Sequence, residues 1–308
     1  MARVVISEFM DERAVARLAA RHDVLYDPSL VDDPASLELA AAGVNAIIVR
    51  NRTQVRGALV SSLARGAVVG RLGVGLDNID LEACAARGIA VVPATGANAL
   101  AVAEYVIATA MLLLRGAYRS TEEVAAGGWP RQALGNGREI GARTLGLIGF
   151  GSIGRRTARL ARGIGMRVVA TDAVLEASDP AFAEANVTAV GLDELLATSD
   201  VVSLHVPLLA STCGLMDAAR IAAMKPGAVL INTARGGIVD EAAVAGALRS
   251  GQLGGAALDV FAHEPLAADH PFAGCPNLLL TPHIAGVTAE ANERVSLLIA
   301  DKVLEALA

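Results

Sequence analysis

The chain has few aromatic side chains: Phe, Tyr and Trp make up 3% of its 308 residues, while hydrophobic residues make up 54%. Its core must therefore be built from Ala, Val, Leu and Ile, the mixture that suits parallel strands covered on both faces by alanine-rich helices. Cysteine is scarce as well. Cys84, Cys213 and Cys275 lie far apart with no CxxC spacing, which argues against a disulfide framework or a metal site and fits a reducing, cytoplasmic setting. The net charge of -6 and the lack of any Lys/Arg run argue against nucleic acid or an anionic membrane as partner. No apolar run reaches membrane length. Residues 99–114 hold a single charged side chain, Glu104, but a span needs ~20 apolar residues, and Arg115, Arg119 and the turn Gly127-Gly128-Trp129-Pro130 close this one off. It reads as a helix buried on several sides between domains or subunits. At the N-terminus Glu8 interrupts the first apolar run, so no signal peptide is expected.

What the sequence does have is alternation. Apolar runs predict strands at Arg3 to Ile6, Asp23 to Tyr26, Ala46 to Val49, Ala67 to Val69 and Ile89 to Val91, with helices at Asp11 to Arg21 and Pro34 to Ala42. Leu81 to Gly88 predicts a short helix closed by a left-handed glycine. Further strands are predicted at Asp200 to Leu204, Ala228 to Ile231, Gly254 to Leu258 and Leu278 to Leu280, with helices at Glu241 to Arg249 and Val287 to Ala308. Strand and helix in repeated alternation mean doubly wound parallel sheets. No solenoid repeat or low-complexity linker interrupts them.

The most informative stretch is Thr144-Leu145-Gly146-Leu147-Ile148-Gly149-Phe150-Gly151-Ser152-Ile153-Gly154. It reads as a buried strand, a glycine-rich turn and a helix start, an order that binds a pyrophosphate. Gly149 permits the tight turn, Gly151 lets the backbone come close to the phosphates, and Gly154 lets the helix lie against the sheet. The helix then runs on through Arg155 to Ala161, with its unpaired N–H groups and positive dipole end toward the anion. A second strand, Arg167 to Thr171, ends on Asp172, 18 positions after Gly154. That is close to the spacing at which a carboxylate accepts hydrogen bonds from the adenosine ribose. The same charge repels a 2′-phosphate, so NAD is expected rather than NADP.

Ligands bind beyond the carboxyl ends of the strands in an open parallel sheet. Four such ends carry unusual residues: His205 with Pro207, Asn232-Thr233-Ala234-Arg235-Gly236-Gly237, Asp259 with Glu264, and Thr281-Pro282-His283. An arginine, an acid and a histidine beside a nicotinamide supply a carboxylate clamp, an orienting carboxylate and a general acid/base, which a 2-hydroxy acid dehydrogenase needs. His263, next to Glu264, rivals His283 for the last role. His205 reads as a packed histidine beside the cofactor, and His22 and His270 as solvated surface histidines. Asp77 and Asn78 are candidates either to stabilise their own turn or to touch ligand.

Together with Gly73-Val74-Gly75-Leu76-Asp77-Asn78-Ile79-Asp80 and Ala257-Leu258-Asp259-Val260-Phe261 running to Glu264-Pro265, these motifs resemble the D-2-hydroxyacid dehydrogenases over nearly the whole chain. The phosphoglycerate dehydrogenase branch is the most similar. The resemblance implies a Rossmann NAD-binding domain over 99–286 and a smaller, discontinuous flavodoxin-like substrate domain over 1–98 plus 287–308, with a cleft closed by hinge motion. It implies that Arg235 holds the substrate carboxylate and carbonyl oxygen, that His283 exchanges the proton, and that Glu264 orients His283 and favours its imidazolium form. The cofactor would be held by Gly149, Gly151, Ser152, Ile153, Gly154, Asp172, His205, Val206, Pro207, Thr212, Thr233, Ala234, Arg235, Asp259, His283 and Gly286. Asp259 would face the nicotinamide carboxamide, and Val74 with Gly75 the substrate carboxylate. A homodimer formed through the nucleotide domain is also implied.

Arginines bear on the substrate. Arg50, Asn51 and Arg52 in one loop and Arg71 at a strand end stand where phosphoglycerate dehydrogenases bind phosphate, and Arg131 matches an arginine that the family can supply from the neighbouring subunit. In an acidic protein this points to a small 2-hydroxy or 2-keto acid with a second anionic group, phosphate or sulfonate, a 3-phosphoglycerate-like acid being the leading expectation and sulfolactate an alternative. Arg52 and Ala285-Gly286-Val287-Thr288 depart from the phosphoglycerate branch, and its C-terminal serine-sensing domain has no counterpart here. The opening Val5 to Glu12 and the Val49 to Gln54 loop also resemble sulfolactate dehydrogenases. A glyoxylate or hydroxypyruvate reductase is a further alternative. From another class comes an NAD(H)-sensing binding protein without turnover, since corepressors share this fold.

Overall fold

The computed structural model describes residues 1–308. The chain divides into two compact units, Met1–Asn98 with Val287–Ala308 (unit 1) and Ala99–Gly286 (unit 2). Each is built on one parallel sheet.

Unit 1 holds strands β1 (Arg3–Ile6), β2 (Asp23–Tyr26), β3 (Ala46–Val49), β4 (Val68–Arg71) and β5 (Ala90–Pro93), in the order β2-β1-β3-β4-β5. All neighbours are parallel, and the order is that of flavodoxin-like sheets. The central strands β3 and β4 are buried along their whole length, while β2 at the edge keeps alternate residues exposed. One face of the sheet packs Ile47, Val49 and Val69 against Leu37, Leu59 and Leu63. The other packs Val4, Ile6 and Ile48 against Leu18 and the C-terminal helix Ala289–Ala306 through Val295, Ile299 and Val303. Thr288 caps that helix by accepting from the Ala291 N–H at 3.1 Å. β4 runs two residues further than the sequence predicts, because Gly70 and Arg71 still pair with β3 and β5.

Unit 2 holds β6 (Thr144–Ile148), β7 (Arg167–Thr171), β8 (Thr188–Ala189), β9 (Val201–Leu204), β10 (Ala228–Asn232), β11 (Leu253–Leu258) and β12 (Leu278–Leu280). Their order is β12-β11-β10-β9-β6-β7-β8, again all parallel. This is the Rossmann order with one more strand at the edge, and the strand order reverses between β6 and β9, where a nucleotide is expected. The helix Ala99–Arg115 buries Val102, Val106, Ala110, Leu113 and Leu114 in the core beneath β6 while Glu104 and Met111 stay exposed, so it covers a sheet face and spans nothing. No helix is long and apolar enough to cross a membrane. The two-residue strand β8 escapes sequence reading because two residues show no periodicity.

Glycine sets one close packing distance. Gly70 in β4 faces the C-terminal helix, and a methyl group there would lie 2.8 Å from Ile299 Cγ2 and 3.0 Å from Val303 Cγ2. Gly70→Ala is therefore expected to cost about 1–3 kcal/mol through overpacking, read as a lower urea midpoint at unchanged slope. A wild-type midpoint would mean that the helix shifts without penalty.

Candidate active site

In unit 2 the three fingerprint glycines have separate surroundings. Gly149 leaves β6 at φ +98°, and a Cβ there would press on the carbonyl of His205. Gly154 lies against the Gly149 carbonyl, leaving no room for a methyl group. Gly151 has open space where its Cβ would be. No side chain caps the helix Ser152–Gly163 that follows, and Ser152 at its start is exposed. Four N–H groups at such an end lack helical partners, so the open turn and uncapped helix suit an anion.

Asp172 at the end of β7 holds that turn. One carboxylate oxygen accepts from the Phe150 N–H at 2.7 Å, the other from Val174 and Leu175 at 2.9 and 3.2 Å. Burial acts to raise the Asp172 carboxyl, but these N–H groups and nearby Arg155 outweigh it and keep it below the usual carboxylate value. It is ionised at neutral pH, as a ribose acceptor and a barrier to a 2′-phosphate require. Thr212 closes the loop after β9, accepting from the Leu209 N–H at 2.8 Å and donating to the Pro207 carbonyl at 2.6 Å. His205 and Val206 are half-buried at the start of that loop. The His205 ring contacts Ser203 Oγ at 3.1 Å through Nε2, and desolvation pushes its pKa down to about 4. It is neutral at pH 7 and is not the acid that a keto-acid reduction needs.

After β10, Asn232 folds the next loop back on itself. Its side chain accepts from the Ala234 N–H and donates to the Arg235 carbonyl, both at 3.0 Å. Arg235 is half-buried, and its guanidinium donates to the Ala234 carbonyl at 2.6 Å. Gly236 packs so tightly on the Phe261 carbonyl that any side chain would collide with it, which brings the loops after β10 and β11 together. Thr233 Oγ1 is buried without a protein partner, a polar atom left over for a ligand. The open Gly151 turn, the ionised Asp172 and this hydroxyl fit a dinucleotide.

The loop after β12 carries His283, whose Nδ1 lies 2.8 Å from Glu264 Oε2. The other Glu264 oxygen accepts from the Phe261 N–H at 3.0 Å. A carboxylate is acceptor-only when ionised, so Nδ1 carries the proton and Nε2 is the atom left to exchange one. His263 is exposed and Glu264 pairs with His283 instead. His283 has φ +56°, uncommon for a residue with a side chain. Its loop is held by Asp259, which is 1% exposed. Asp259 accepts from Ile284 N–H, Ala285 N–H and the Thr281 hydroxyl. The residue expected to face the nicotinamide carboxamide thus lies under the His283 loop, with Gly286 half-buried at the loop's end.

In unit 1 the candidate anion-binding loop follows β3. Glu8, buried at the end of neighbouring β1, accepts the N–H groups of Arg50, Arg52 and Thr53 at 2.8, 3.2 and 3.0 Å. Asn78 donates to the carbonyls of Arg50 and Thr53, so it braces a turn as one of its two readings has it. The Arg50 guanidinium donates to Asn292 at 2.7 Å and lies 5.8 Å from the Phe9 ring centre. Burial lowers its pKa, with Glu8 opposing. Arg52 is exposed and ion-paired with Asp32, while Asn51 is exposed. Arg71 is buried at the end of β4 with its guanidinium folded over Gly73, ahead of exposed Val74 and half-buried Gly75. Glu8 and Asn292 are functional candidates that sequence reading missed. An acid after a strand end could have marked Glu8, whereas nothing local marks Asn292. Arg131, in unit 2, is exposed in the segment after Trp129.

Two histidines differ from expectation. His22 and His270 are half-buried. His22 Nδ1 accepts from the Ala2 N–H at 3.4 Å, and His270 Nδ1 accepts from the Phe272 N–H at 3.1 Å with its ring against Phe272. Both are tied to backbone by a partner that no local pattern reveals.

Residues 107–285 match the D-isomer specific 2-hydroxyacid dehydrogenase, NAD binding domain. The chain belongs to that family. The dehydrogenase is NAD-dependent and acts on the CH–OH group of a small 2-hydroxy acid. It is 54% identical to an (S)-sulfolactate dehydrogenase of Chromohalobacter salexigens over 100% of this chain and 99% of that one. It is 36% identical to a D-3-phosphoglycerate dehydrogenase of Mycobacterium tuberculosis over 99% of this chain but only 57% of that one. A glyoxylate reductase structure from Paecilomyes thermophila superposes with TM-score 0.85 at 30% identity, covering 99% of this chain and 95% of that chain.

Asp172→Asn keeps one acceptor oxygen and removes the charge. It is expected to raise kcat/KM for NADPH relative to NADH by about tenfold or more. An unchanged ratio in steady-state assays with both cofactors would show that Asp172 serves the turn alone.

Proposed function

We propose that the dehydrogenase interconverts (S)-sulfolactate and sulfopyruvate. The observation that carries this reading is the 54% identity, end to end on both chains, with a relative named for that reaction. The sequence alone favours a 3-phosphoglycerate-like acid, with sulfolactate as the alternative; the phosphoglycerate relatives are less similar, and the chain spans about half of their length, which moves the proposal to the sulfonate. The (S) descriptor agrees with a D-specific family. In D-lactate the carboxylate outranks the methyl group in assigning configuration, whereas the sulfur of sulfolactate makes CH2SO3⁻ outrank the carboxylate. The same arrangement in space is therefore (R) in lactate and (S) in sulfolactate.

In the proposed reaction Arg235 binds the substrate carboxylate and the oxygen on C2. His283 takes the hydroxyl proton on Nε2 during oxidation and returns it during reduction, while Glu264 holds Nδ1–H and stabilises the imidazolium. The nicotinamide, when bound, supplies the hydride acceptor at C4. The arginines of unit 1, Arg50 and Arg71 foremost, bind the sulfonate. An arginine fork suits a three-oxygen anion better than a lysine does. The same reading makes the enzyme a cytoplasmic homodimer with no nucleic-acid or membrane partner, supported by three free cysteines and by Tyr118 and Trp129, exposed in one segment with Arg131.

His283→Ala is expected to lower kcat by ~10²-fold or more with NADH binding retained. Glu264→Gln should move the pH optimum of keto-acid reduction downward, because the imidazolium loses its anionic neighbour. Little loss in His283→Ala, or a greater one in His263→Ala, moves the role to His263.

The substrate itself is tested with NADH and a panel of sulfopyruvate, phosphohydroxypyruvate, glyoxylate and pyruvate. Sulfopyruvate should give the highest kcat/KM. Arg71→Ala should raise its KM by ~10- to 100-fold, the size of one charge-assisted hydrogen bond, with little change for glyoxylate. Preference for phosphohydroxypyruvate or equal use of glyoxylate overturns the substrate, and absence of all turnover favours the NAD(H)-sensing alternative.

A further inference from the structure

One half-buried hydrogen-bond chain in unit 2, from Tyr105 through Thr281 to Asp259, has no part in the proposed chemistry. Asp259 binds the His283 loop at three successive N–H groups: its carbonyl accepts from His283 at 2.8 Å, and its carboxylate accepts from Ile284 and Ala285, each at 2.8 Å. The carboxylate also accepts the Thr281 hydroxyl at 2.6 Å. That proton is then committed, so the Tyr105 hydroxyl, 2.6 Å from Thr281 Oγ1, must be the donor in their contact. Burial pushes the Tyr105 phenol up, against the Thr281 hydrogen bond, and so keeps it a donor across the neutral range. Tyr105 is anchored on the helix Ala99–Arg115, whose apolar residues sit in the core. The chain runs in one direction, from the core-packed helix through two hydroxyls to a carboxylate, and ends on the backbone that carries His283.

We infer that Tyr105 and Thr281 are positioning residues for His283, acting through Asp259 to hold its loop in the left-handed conformation that presents the ring to Glu264. The inference rests on His283 being the acid/base. Its physical basis is that a residue with a side chain disfavours φ +56°, so the loop stays there only while its N–H groups are bound. Asp259 binds three of them in one place, provided that its carboxylate is itself held. Without the two hydroxyls the carboxylate can turn, the loop can relax, and the contact between His283 Nδ1 and Glu264 Oε2 loosens. A general acid displaced by a fraction of an ångström loses much of its rate.

Tyr105→Phe removes one hydroxyl and little else. It is expected to lower kcat for keto-acid reduction by about tenfold with the KM for NADH nearly unchanged. Thr281→Val should lose more, and Thr281→Ser, which keeps the hydroxyl, should retain most of the wild-type rate. In Tyr105→Phe and Thr281→Val the alkaline limb of the pH profile should move to lower pH, because a weaker Glu264 contact lets the imidazolium lose its proton sooner. In a Glu264→Gln background Tyr105→Phe should add no further shift. Wild-type kcat and pH profile in Tyr105→Phe, whatever its melting temperature, would overturn the inference. A lowered kcat with an unmoved profile would do the same, since that is what a merely structural bond gives. If Thr281→Val does not fold, Tyr105→Phe and Thr281→Ser decide. His283→Ala serves as the control: if it is inactive while Tyr105→Phe behaves as wild type, the relay alone fails, and if it is active, the acid/base reading fails and takes the relay with it.

Discussion

A carboxylate at the end of one strand, bonded to the backbone N–H groups of the loop leaving the strand beside it, recurs through this molecule and organises each candidate site. Glu8 after β1 holds the loop after β3. Asp172 after β7 holds the glycine turn after β6. Asp259 after β11 holds the loop after β12. In each case the two strands are neighbours in a parallel sheet. Loop N–H groups beyond the last ladder bond have no partner in the sheet, and a buried N–H without one is costly. A carboxylate accepts several at once, each charge-assisted bond being worth about 1.5–3 kcal/mol. Irregular backbone thereby becomes nearly as well defined as the strands it joins, which a site that positions a proton and a hydride requires.

The device also separates structural from reactive charge. Asp172 and Asp259 direct much of their acceptor capacity to backbone, and Glu8 has little surface left. Glu264 differs, because it gives one oxygen to backbone and the other to a histidine ring. Among the histidines the same logic applies. His205 is neutral because protein surrounds its ring and no acid faces it, whereas His283 is more open and has one. Two histidines at the ends of strands in one sheet thus differ in surroundings: burial keeps His205 neutral, and His283 has a carboxylate beside its Nδ1.

Charge around the unit 1 loop is more balanced than a count of arginines suggests. Arg52 is ion-paired with Asp32 at the surface, and Glu8 lies behind the backbone of the same loop. Arg50 is half-buried and fixed by Asn292, and Arg71 is buried and folded over Gly73. Under the proposed reaction, these two guanidinium groups, with part of the surrounding charge offset, would meet a singly charged sulfonate.

The sequence by itself determined the elements: short apolar runs marked the strands because buried parallel strands need no polar face, and the spacing of Gly149, Gly151, Gly154 and Asp172 was legible because each turns on local backbone geometry. The candidate residues at the strand ends were legible for the same reason, since strand ends can be read from where apolar runs stop. Only the tertiary structure decided which of these residues meet. Glu264 lies beside His263 in sequence and pairs with His283, as family resemblance implied but no local pattern did. Arg52 reads as an anion-binding arginine and reaches Asp32. Asn292 reaches Arg50, and Tyr105 reaches Thr281, from distant parts of the chain. The strand orders β2-β1-β3-β4-β5 and β12-β11-β10-β9-β6-β7-β8 bring these residues together. Pairing between strands depends on how helices cover both sheet faces, and a periodicity read along the chain has no memory of that packing.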